Sequence, residues 1–161
     1  MPNTPAQIQA GITGLYAMPS VSKAQIAQAD LILSAAGPTL WLDSEEKLDA
    51  VTAISGSGPA YVFYLIEALQ TAAIDLGLND AQAKQLSLAT FKGASLLASA
   101  SSTPIATLRE QVTSKGGTTE QGLLSLQQSQ VKQAIVLAAQ KAYERAKTLG
   151  IELGRDELGK D

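Results

Sequence analysis

Residues 59–76, PAYVFYLIEALQTAAIDL, decide the fold of this 161-residue chain. The opening residue, Pro59, stands where a helix tolerates its missing N–H group. After it the only charges are Glu67 and Asp75, so apolar residues surround the helix axis. This pattern is typical of a helix that is buried on most sides. It predicts the central helix of a mainly α-helical domain.

The residues on both sides of this segment, from 44 to 150, are also predicted to be helical. Leu48, Val51 and Ile54 recur at helical spacing before it. Later helix starts are predicted at Asn79, at Thr103 with Pro104, at Thr118 with Gln121 as a capping box, and at Ser129, and the last helix is predicted to end at Gly150. We therefore expect an all-helical domain of about six helices over residues 44–150. Residues 151–161 are expected to form a flexible tail.

The first 43 residues follow a different pattern. Two short β-compatible runs, Gly11–Ala17 and Thr39–Leu42, predict strands. Ser22 and Gln25 form a capping box that predicts a helix between them. Two strands are too few for independent stability. We therefore expect residues 1–43 to be the incomplete edge of a larger sheet.

Composition limits the partners of the chain. Charged residues make up 17% of the sequence, below the roughly 25% of a typical soluble domain, so we expect a single main core and further surface hidden in an oligomer. The net charge is -3 and the twelve Lys and Arg residues are scattered, which argues against nucleic-acid binding. No run reaches the ~18 apolar residues of a membrane span, and no secretory signal is present, so a cytoplasmic setting is expected.

The chain contains neither cysteine nor histidine. Their absence excludes disulfides, thiolate zinc sites, cysteine nucleophiles and every Ser-His-Asp arrangement. Any chemistry must therefore use hydroxyl groups, lysines, carboxylates or a cofactor.

The segment VTSKGGTTEQ, residues 112–121, is the best candidate for a binding site. Two glycines before a predicted helix start expose backbone N–H groups, and the helix dipole adds partial positive charge. Ser114, Thr118 and Thr119 add hydroxyl donors, so a carboxylate could be held without arginine. The alternative is that the glycines only turn the chain and Thr118 only caps the helix. On the residues alone, that alternative is favoured by about three to one.

A second glycine-containing segment, SGSGPAY at residues 55–61, does not fit a dinucleotide-binding fingerprint. No strand precedes it, and Tyr61 stands in the place of the third glycine. We expect a tightly packed turn between two helices here. We also expect no dinucleotide binding by this chain alone.

Four segments, taken together and in order, resemble landmarks of the pyrroline-5-carboxylate reductases. Their spacing is similar as well, and the resemblance covers nearly the whole chain to about Gly150. The segments are MPNTPA (residues 1–6), GPTLWLD (37–43), SGSGPAY (55–61) and VTSKGGTT (112–119).

The resemblance implies an oxidoreductase of proline biosynthesis. Such enzymes reduce 1-pyrroline-5-carboxylate to L-proline by hydride transfer from NADPH or NADH. They combine an amino-terminal Rossmann domain with a carboxy-terminal helical domain that intertwines with its twin in a homodimer, and some assemble further into decamers. The resemblance implies that this chain is the carboxy-terminal portion, without most of the nucleotide-binding domain.

The resemblance also implies roles for individual residues. Ser114, Gly117 and Thr118 would hold the substrate carboxylate through a hydroxyl and backbone N–H groups. Thr119 would be the catalytic residue, because its hydroxyl would lie near the ring nitrogen and orient it or relay its proton. Lys115 departs from the family, which usually has proline there.

The opening segment is implied to contact the cofactor. Met1 and Asn3 match the residues that lie near the nicotinamide ring in such enzymes. No residue is implied to bind a metal.

Two other functions remain open at this stage. The chain could be a helical dimerisation module without catalytic activity. It could also be an unrelated helical scaffold, which would be monomeric and would not bind proline.

Overall fold

The computed structural model describes residues 1–158, with side chains described to residue 152. The chain forms two compact units. The first comprises Met1–Tyr61 and the residues from Ile135 onward, and the second comprises Val62–Ala134. The mainly α-helical fold is confirmed.

The first unit begins with a small parallel sheet. Strand β1 (Thr13–Tyr16) pairs with β2 (Thr39–Leu42) in a register that runs from Thr13 opposite Thr39 to Tyr16 opposite Leu42. Helix α1 (Lys23–Ser34) connects the two strands. The predicted order of strand, helix and strand is therefore confirmed.

Helix α1 begins and ends as its sequence predicts. Ser22 Oγ accepts a hydrogen bond from Gln25 N–H, and Gln25 Oε1 accepts one from Ser22 N–H, which completes the capping box. After the helix, Gly37 has a φ of 134°, and a Cβ there would collide with the carbonyl of Gly11. Only glycine fits this turn into β2.

Six further helices follow the sheet, in agreement with the prediction. They are α2 (Lys47–Val51), α3 (Gly58–Asp75), α4 (Asp80–Ala100), α5 (Ile105–Gln111), α6 (Thr118–Gln128) and α7 (Val131–Leu158). Asn79 caps α4 as predicted, and its side chain accepts a hydrogen bond from Gln82 N–H. Residues 52–56 form one π-helical turn, which overlaps the first two residues of the predicted turn at 55–61 and is closed by a 2.8 Å bond from Ser57 N–H to Thr52 O.

Two boundaries predicted for the last helix, its first and its last residue, are wrong. Ser129 does not cap the last helix; it lies at the carboxy-terminal end of α6. The left-handed residue Gln130, with a φ of 53°, separates α6 from α7. Helix α7 does not end at Gly150 but continues to Leu158, because one glycine inside a helix costs only about 0.5–1 kcal/mol relative to alanine. The flexibility expected for residues 151–161 stays a prediction, and residues 159–161 lie outside the described part.

The expected burial of α3 and the expected single core are not found within this chain. Helix α3 has no buried residue, and Phe63 and Tyr64 are 64% and 72% exposed. Among residues 1–152, Ala53 and Ala83 are the only hydrophobic side chains that are almost fully buried. The burial predicted for α3 is therefore wrong for this chain alone, and its large apolar side chains form an exposed surface.

Asp30 links α1 to β2. Its Oδ1 atom accepts hydrogen bonds from Thr39 Oγ1 at 2.5 Å and from the indole N–H of Trp41 at 2.9 Å. Since both bonds favour the ionised form, with the Thr39 bond contributing most, the pKa of Asp30 lies below its ordinary value. The helix is thus fastened to the strand by a carboxylate.

We predict that Asp30→Ala lowers the stability of the first unit at pH 7. A lowered folded-state pKa contributes stability that is present above the ordinary carboxyl pKa and is lost as the pH falls through the folded-state value. The difference in stability between the unmodified chain and Asp30→Ala should therefore become smaller from pH 7 to strongly acidic solution. Denaturation can be followed by Trp41 fluorescence, since Trp41 is the only tryptophan.

The matched control is Asp75→Ala, which removes an exposed carboxylate that makes no hydrogen bond or ion pair within the described residues. It should cause no comparable, pH-dependent loss. If Asp30→Ala lost the same amount of stability at pH 7 and in strongly acidic solution, the charge of Asp30 would not be what holds α1 to β2.

Candidate functional site

The candidate site lies in the second unit, at the loop between α5 and α6. We call residues 112–117 the glycine loop. The chain leaves α5 through Thr113, whose N–H donates to Glu110 O at 2.9 Å and whose Oγ1 donates to Arg109 O at 2.6 Å. These two bonds satisfy the last carbonyls of α5 and fix the direction in which the loop starts.

The centre of the glycine loop is a type II β-turn. Gly117 N–H donates to Ser114 O at 3.0 Å, and Gly116 has a φ of 75°. Lys115 does not have a positive φ, which distinguishes this turn from type I′. Lys115 is thus at the second position of the turn, where proline fits best. The proline that the resemblance implies at this position would fit the same turn.

Helix α6 begins one residue earlier than a cap at Thr118 would allow. Gly117 is the N-cap residue, with extended backbone (φ -84°, ψ 170°), and its carbonyl accepts from Gln121 N–H at 3.3 Å. The predicted capping box of Thr118 and Gln121 is therefore wrong, because Thr118 is already the first helical residue. No side chain caps this helix start.

The missing side-chain cap leaves open donors at the amino end of α6. Within the described residues, the N–H groups of Thr118, Thr119 and Glu120 have no hydrogen-bond acceptor. They point out of a helix end that carries partial positive charge. Ser114, Thr118 and Thr119 are exposed around them. This arrangement can accept a small anion.

Gly117 is held tightly against Ser114. A Cβ added to Gly117 would lie 2.5 Å from Ser114 Oγ and 3.1 Å from Ser114 O. The hydroxyl of Ser114 therefore lies directly beside the start of α6. Four of the predicted site residues are thus brought together by one loop: Ser114, Gly117, Thr118 and Thr119.

Met1 and Asn3, the predicted cofactor contacts, belong to the first unit. Met1 exchanges two backbone hydrogen bonds with Gly14, and Asn3 Oδ1 accepts from Ile12 N–H at 2.9 Å. Reciprocal bonds of this kind are the antiparallel pattern, so the opening segment lies along β1. Partial burial lowers the pKa of the Met1 amino group.

The Met1 side chain packs against the π-helical turn. A Cβ added to Gly56 would lie 2.5 Å from Met1 Cε. The sequence predicted a turn near Gly56 but not its π-helical geometry, since the i to i+5 hydrogen bond leaves no signature in the residue pattern. Such turns occur often at functional sites.

The connection from β1 to α1 can be compared with the phosphate-binding turn of a dinucleotide site. In that kind of site, glycines between the first strand and the following helix let the pyrophosphate approach the backbone. The connection from β1 to α1, residues 17–22, contains no glycine. That connection therefore does not match the glycine-rich fingerprint. In addition, the described residues contain no group of acidic side chains arranged to hold a metal ion, and none of their helices is both long and apolar enough to cross a membrane.

Comparison with known proteins identifies the family. The family model described as pyrroline-5-carboxylate reductase dimerisation matches residues 45–149. The chain belongs to this family. Its resemblance to the pyrroline-5-carboxylate reductases is confirmed.

The relatives of this reductase-family chain extend over almost all of it. A pyrroline-5-carboxylate reductase of Pseudomonas aeruginosa is 48% identical over 154 residues, which covers 93% of this chain and 56% of the relative. The structure of a pyrroline-5-carboxylate reductase from Coxiella burnetii is 42% identical with a TM-score of 0.89, covering 92% of this chain and 55% of that one. The chain spans about half the length of the curated relatives it matches.

One structural relative contains a cofactor. The pyrroline carboxylate reductase of Plasmodium falciparum was solved with NADP bound. It is 33% identical with a TM-score of 0.85, and the match covers 93% of this chain and 61% of that one.

We predict opposite effects for the same substitution at two glycines of the reductase-family chain. Gly116→Ala places a side chain at a φ of 75° and should destabilise the second unit by about 1–2 kcal/mol. Gly122→Ala, inside α6 and in open space, should stabilise it by about 0.5–1 kcal/mol. Urea denaturation at one fixed protein concentration measures both. Equal effects at the two positions would contradict the type II turn.

Proposed function

We propose that this chain is the substrate-binding and subunit-pairing part of a pyrroline-5-carboxylate reductase, an enzyme that reduces 1-pyrroline-5-carboxylate to L-proline. The observation that carries the proposal is the open amino end of α6, with three unpaired N–H groups beside the Ser114 hydroxyl. The substrate has a carboxylate, which such a helix start binds. The family membership of the chain supports the same assignment.

The carboxylate is proposed to bind the Ser114 hydroxyl and the N–H of Thr118. Gly117 N–H already donates to Ser114 O at 3.0 Å. Gly117 therefore contributes chiefly by having no side chain, which leaves Ser114 in place and lets the ligand approach the backbone.

Thr119 is proposed as the catalytic residue. Its hydroxyl is exposed at the second residue of α6, on the same helix start as the carboxylate site. A five-membered ring anchored by its carboxylate would bring its nitrogen near this end of the helix. Thr119 would orient the nitrogen or relay its proton, and the gain comes from positioning.

The cofactor is proposed to be NADPH or NADH, which supplies the hydride when bound. Met1 and Asn3 are proposed to lie beside its nicotinamide. Hydrogen bonds to Gly14 and Ile12 hold Met1 and Asn3 along β1. The two residues would therefore form a rigid side of the cofactor site. The proposal also places the enzyme in the cytoplasm.

The chain is proposed to form a homodimer with intertwined helices. The exposed apolar surface of α3 supports this, because a helix that is apolar on all sides must be covered to be stable in water. Further assembly into decamers stays a prediction.

A second candidate function is a helical pairing module without catalytic activity. The connection after β1 favours it, because this connection lacks the glycines that let a dinucleotide pyrophosphate approach the backbone. The two candidates differ at the glycine loop: only the reductase assignment requires the loop to bind a carboxylate ligand.

We predict that the chain binds L-proline saturably and that Ser114→Ala weakens the binding roughly tenfold or more, because a hydrogen bond to a charged group contributes about 1.5–3 kcal/mol. Titration followed by the amide NMR signals of residues 114–119 measures both affinities. Ser125→Ala, which removes an exposed hydroxyl inside α6, is the control and should bind like the unmodified chain. If the chain does not bind proline, or if Ser114→Ala binds as well as the control, the reductase assignment fails in favour of the pairing module.

We predict that sedimentation analysis gives twice the 16.7 kDa mass of the chain. We also predict that Phe63→Glu raises the dimer dissociation constant by about a hundredfold or more. The substitution would bury an unpaired charge in place of an apolar ring. Gln28→Glu adds the same charge on exposed α1 and should leave the dimer intact. A monomeric unmodified chain, or equal dissociation by both variants, would contradict the proposed interface.

A further inference from the structure

The Glu120 side chain has no role in the proposed reaction, yet it makes a specific contact within the candidate site. Its Oε2 atom accepts a hydrogen bond from Gly116 N–H at 2.7 Å. Glu120 is the third residue of α6, and Gly116 lies before the residue that caps this helix. The bond therefore ties the helix back onto the turn that precedes it.

The turn needs such a tie because its own residues give it little stiffness. Two consecutive glycines, Gly116 and Gly117, have more backbone freedom than any other pair. Lys115, at the second position of the turn, does not restrict the backbone as proline would there. The Gly117 to Ser114 hydrogen bond is the other restraint on the turn.

The contact also leaves the anion-binding donors open. A carboxylate at the amino end of a helix can accept from several N–H groups. The Glu120 carboxylate engages Gly116 N–H, whereas the N–H groups of Thr118 and Thr119 keep no acceptor within the described residues. It restrains the turn without filling the site.

We propose that Glu120 is a positioning residue, whose bond to Gly116 N–H holds the glycine loop in the conformation that binds the substrate carboxylate. This inference rests on the proposed function. Glu120 acts through the backbone: with the turn fixed, Ser114 Oγ stays beside Gly117 and next to the open N–H groups. The loop then loses less conformational entropy when the ligand binds, because it is already ordered.

The test compares Glu120→Ala with Glu120→Gln, using L-proline as the probe in the NMR titration of the whole chain. Alanine removes the acceptor, whereas glutamine keeps an amide oxygen that can accept from Gly116 N–H and removes only the charge. We expect Glu120→Ala to weaken proline binding roughly threefold to tenfold. Glu120→Gln should stay within about twofold of the unmodified chain.

Two further readouts separate positioning from a general loss of structure. Hydrogen exchange of the Gly116 amide should accelerate in Glu120→Ala and stay slow in Glu120→Gln, while the α6 amides beyond the first turn keep their exchange rates. Adding Lys115→Pro to Glu120→Ala should restore most of the lost affinity, because proline stiffens the same turn. Lys115→Pro alone should change affinity by less than about twofold, since coupled changes are not additive.

The outcomes are distinct. Tighter binding by both Glu120 variants would overturn the inference, because it would mean that the negative charge repels the ligand. Equal weakening in both would also overturn it, since the hydrogen bond would then not be the cause. Unchanged affinity in both, with Ser114→Ala still impaired, would remove Glu120 and leave the proposed function standing. Unchanged affinity in Ser114→Ala would remove the binding site itself, and this inference with it.

Discussion

The apolar surface of the helices is the constraint on which the rest of the structure depends. In water, an apolar helix face is stable only when something covers it, and helix α3 is apolar on all sides. Among residues 1–152, no large side chain is fully buried. The short helices on either side of the glycine loop, with seven and eleven residues, are too short to be stable alone. These two helices therefore depend on tertiary packing, to which a partner would contribute in the proposed homodimer.

The open hydrogen-bond donors of the candidate site belong to the backbone. The chain has no histidine, and the open donors at the start of α6 are N–H groups. A helix end of this kind is oriented by the fold, so it loses no side-chain entropy when an anion binds. The exposed side chains of Ser114 and Thr119 add hydroxyl groups at the same end of the helix.

Two helix starts were predicted correctly from residues close together in the sequence. Features that depend on packing or on backbone conformation were not. The capping boxes at Ser22 and Asn79 depend on side chains three residues apart, so the sequence contains all the information. The Thr118 box failed because Gly117, which has no side chain, takes an extended conformation and starts the helix first. The burial predicted for α3 was wrong for this chain alone, because an apolar pattern indicates a surface that avoids water but does not identify what covers it. The bond from Gly116 to Glu120 depends on turn geometry that no residue spacing encodes.

The two glycines of the loop are needed for different physical reasons, and this explains why the pair is read so easily as a simple bend. Gly116 is required for its backbone, since a φ of 75° is costly for any residue with a Cβ. A Cβ at Gly116 would meet nothing, so space is not the constraint there. Gly117 has an ordinary φ of -84°, but a Cβ there would press on Ser114. A bend alone needs only the first property. The second keeps the Ser114 hydroxyl beside an open helix start, an arrangement that suits the carboxylate site proposed above.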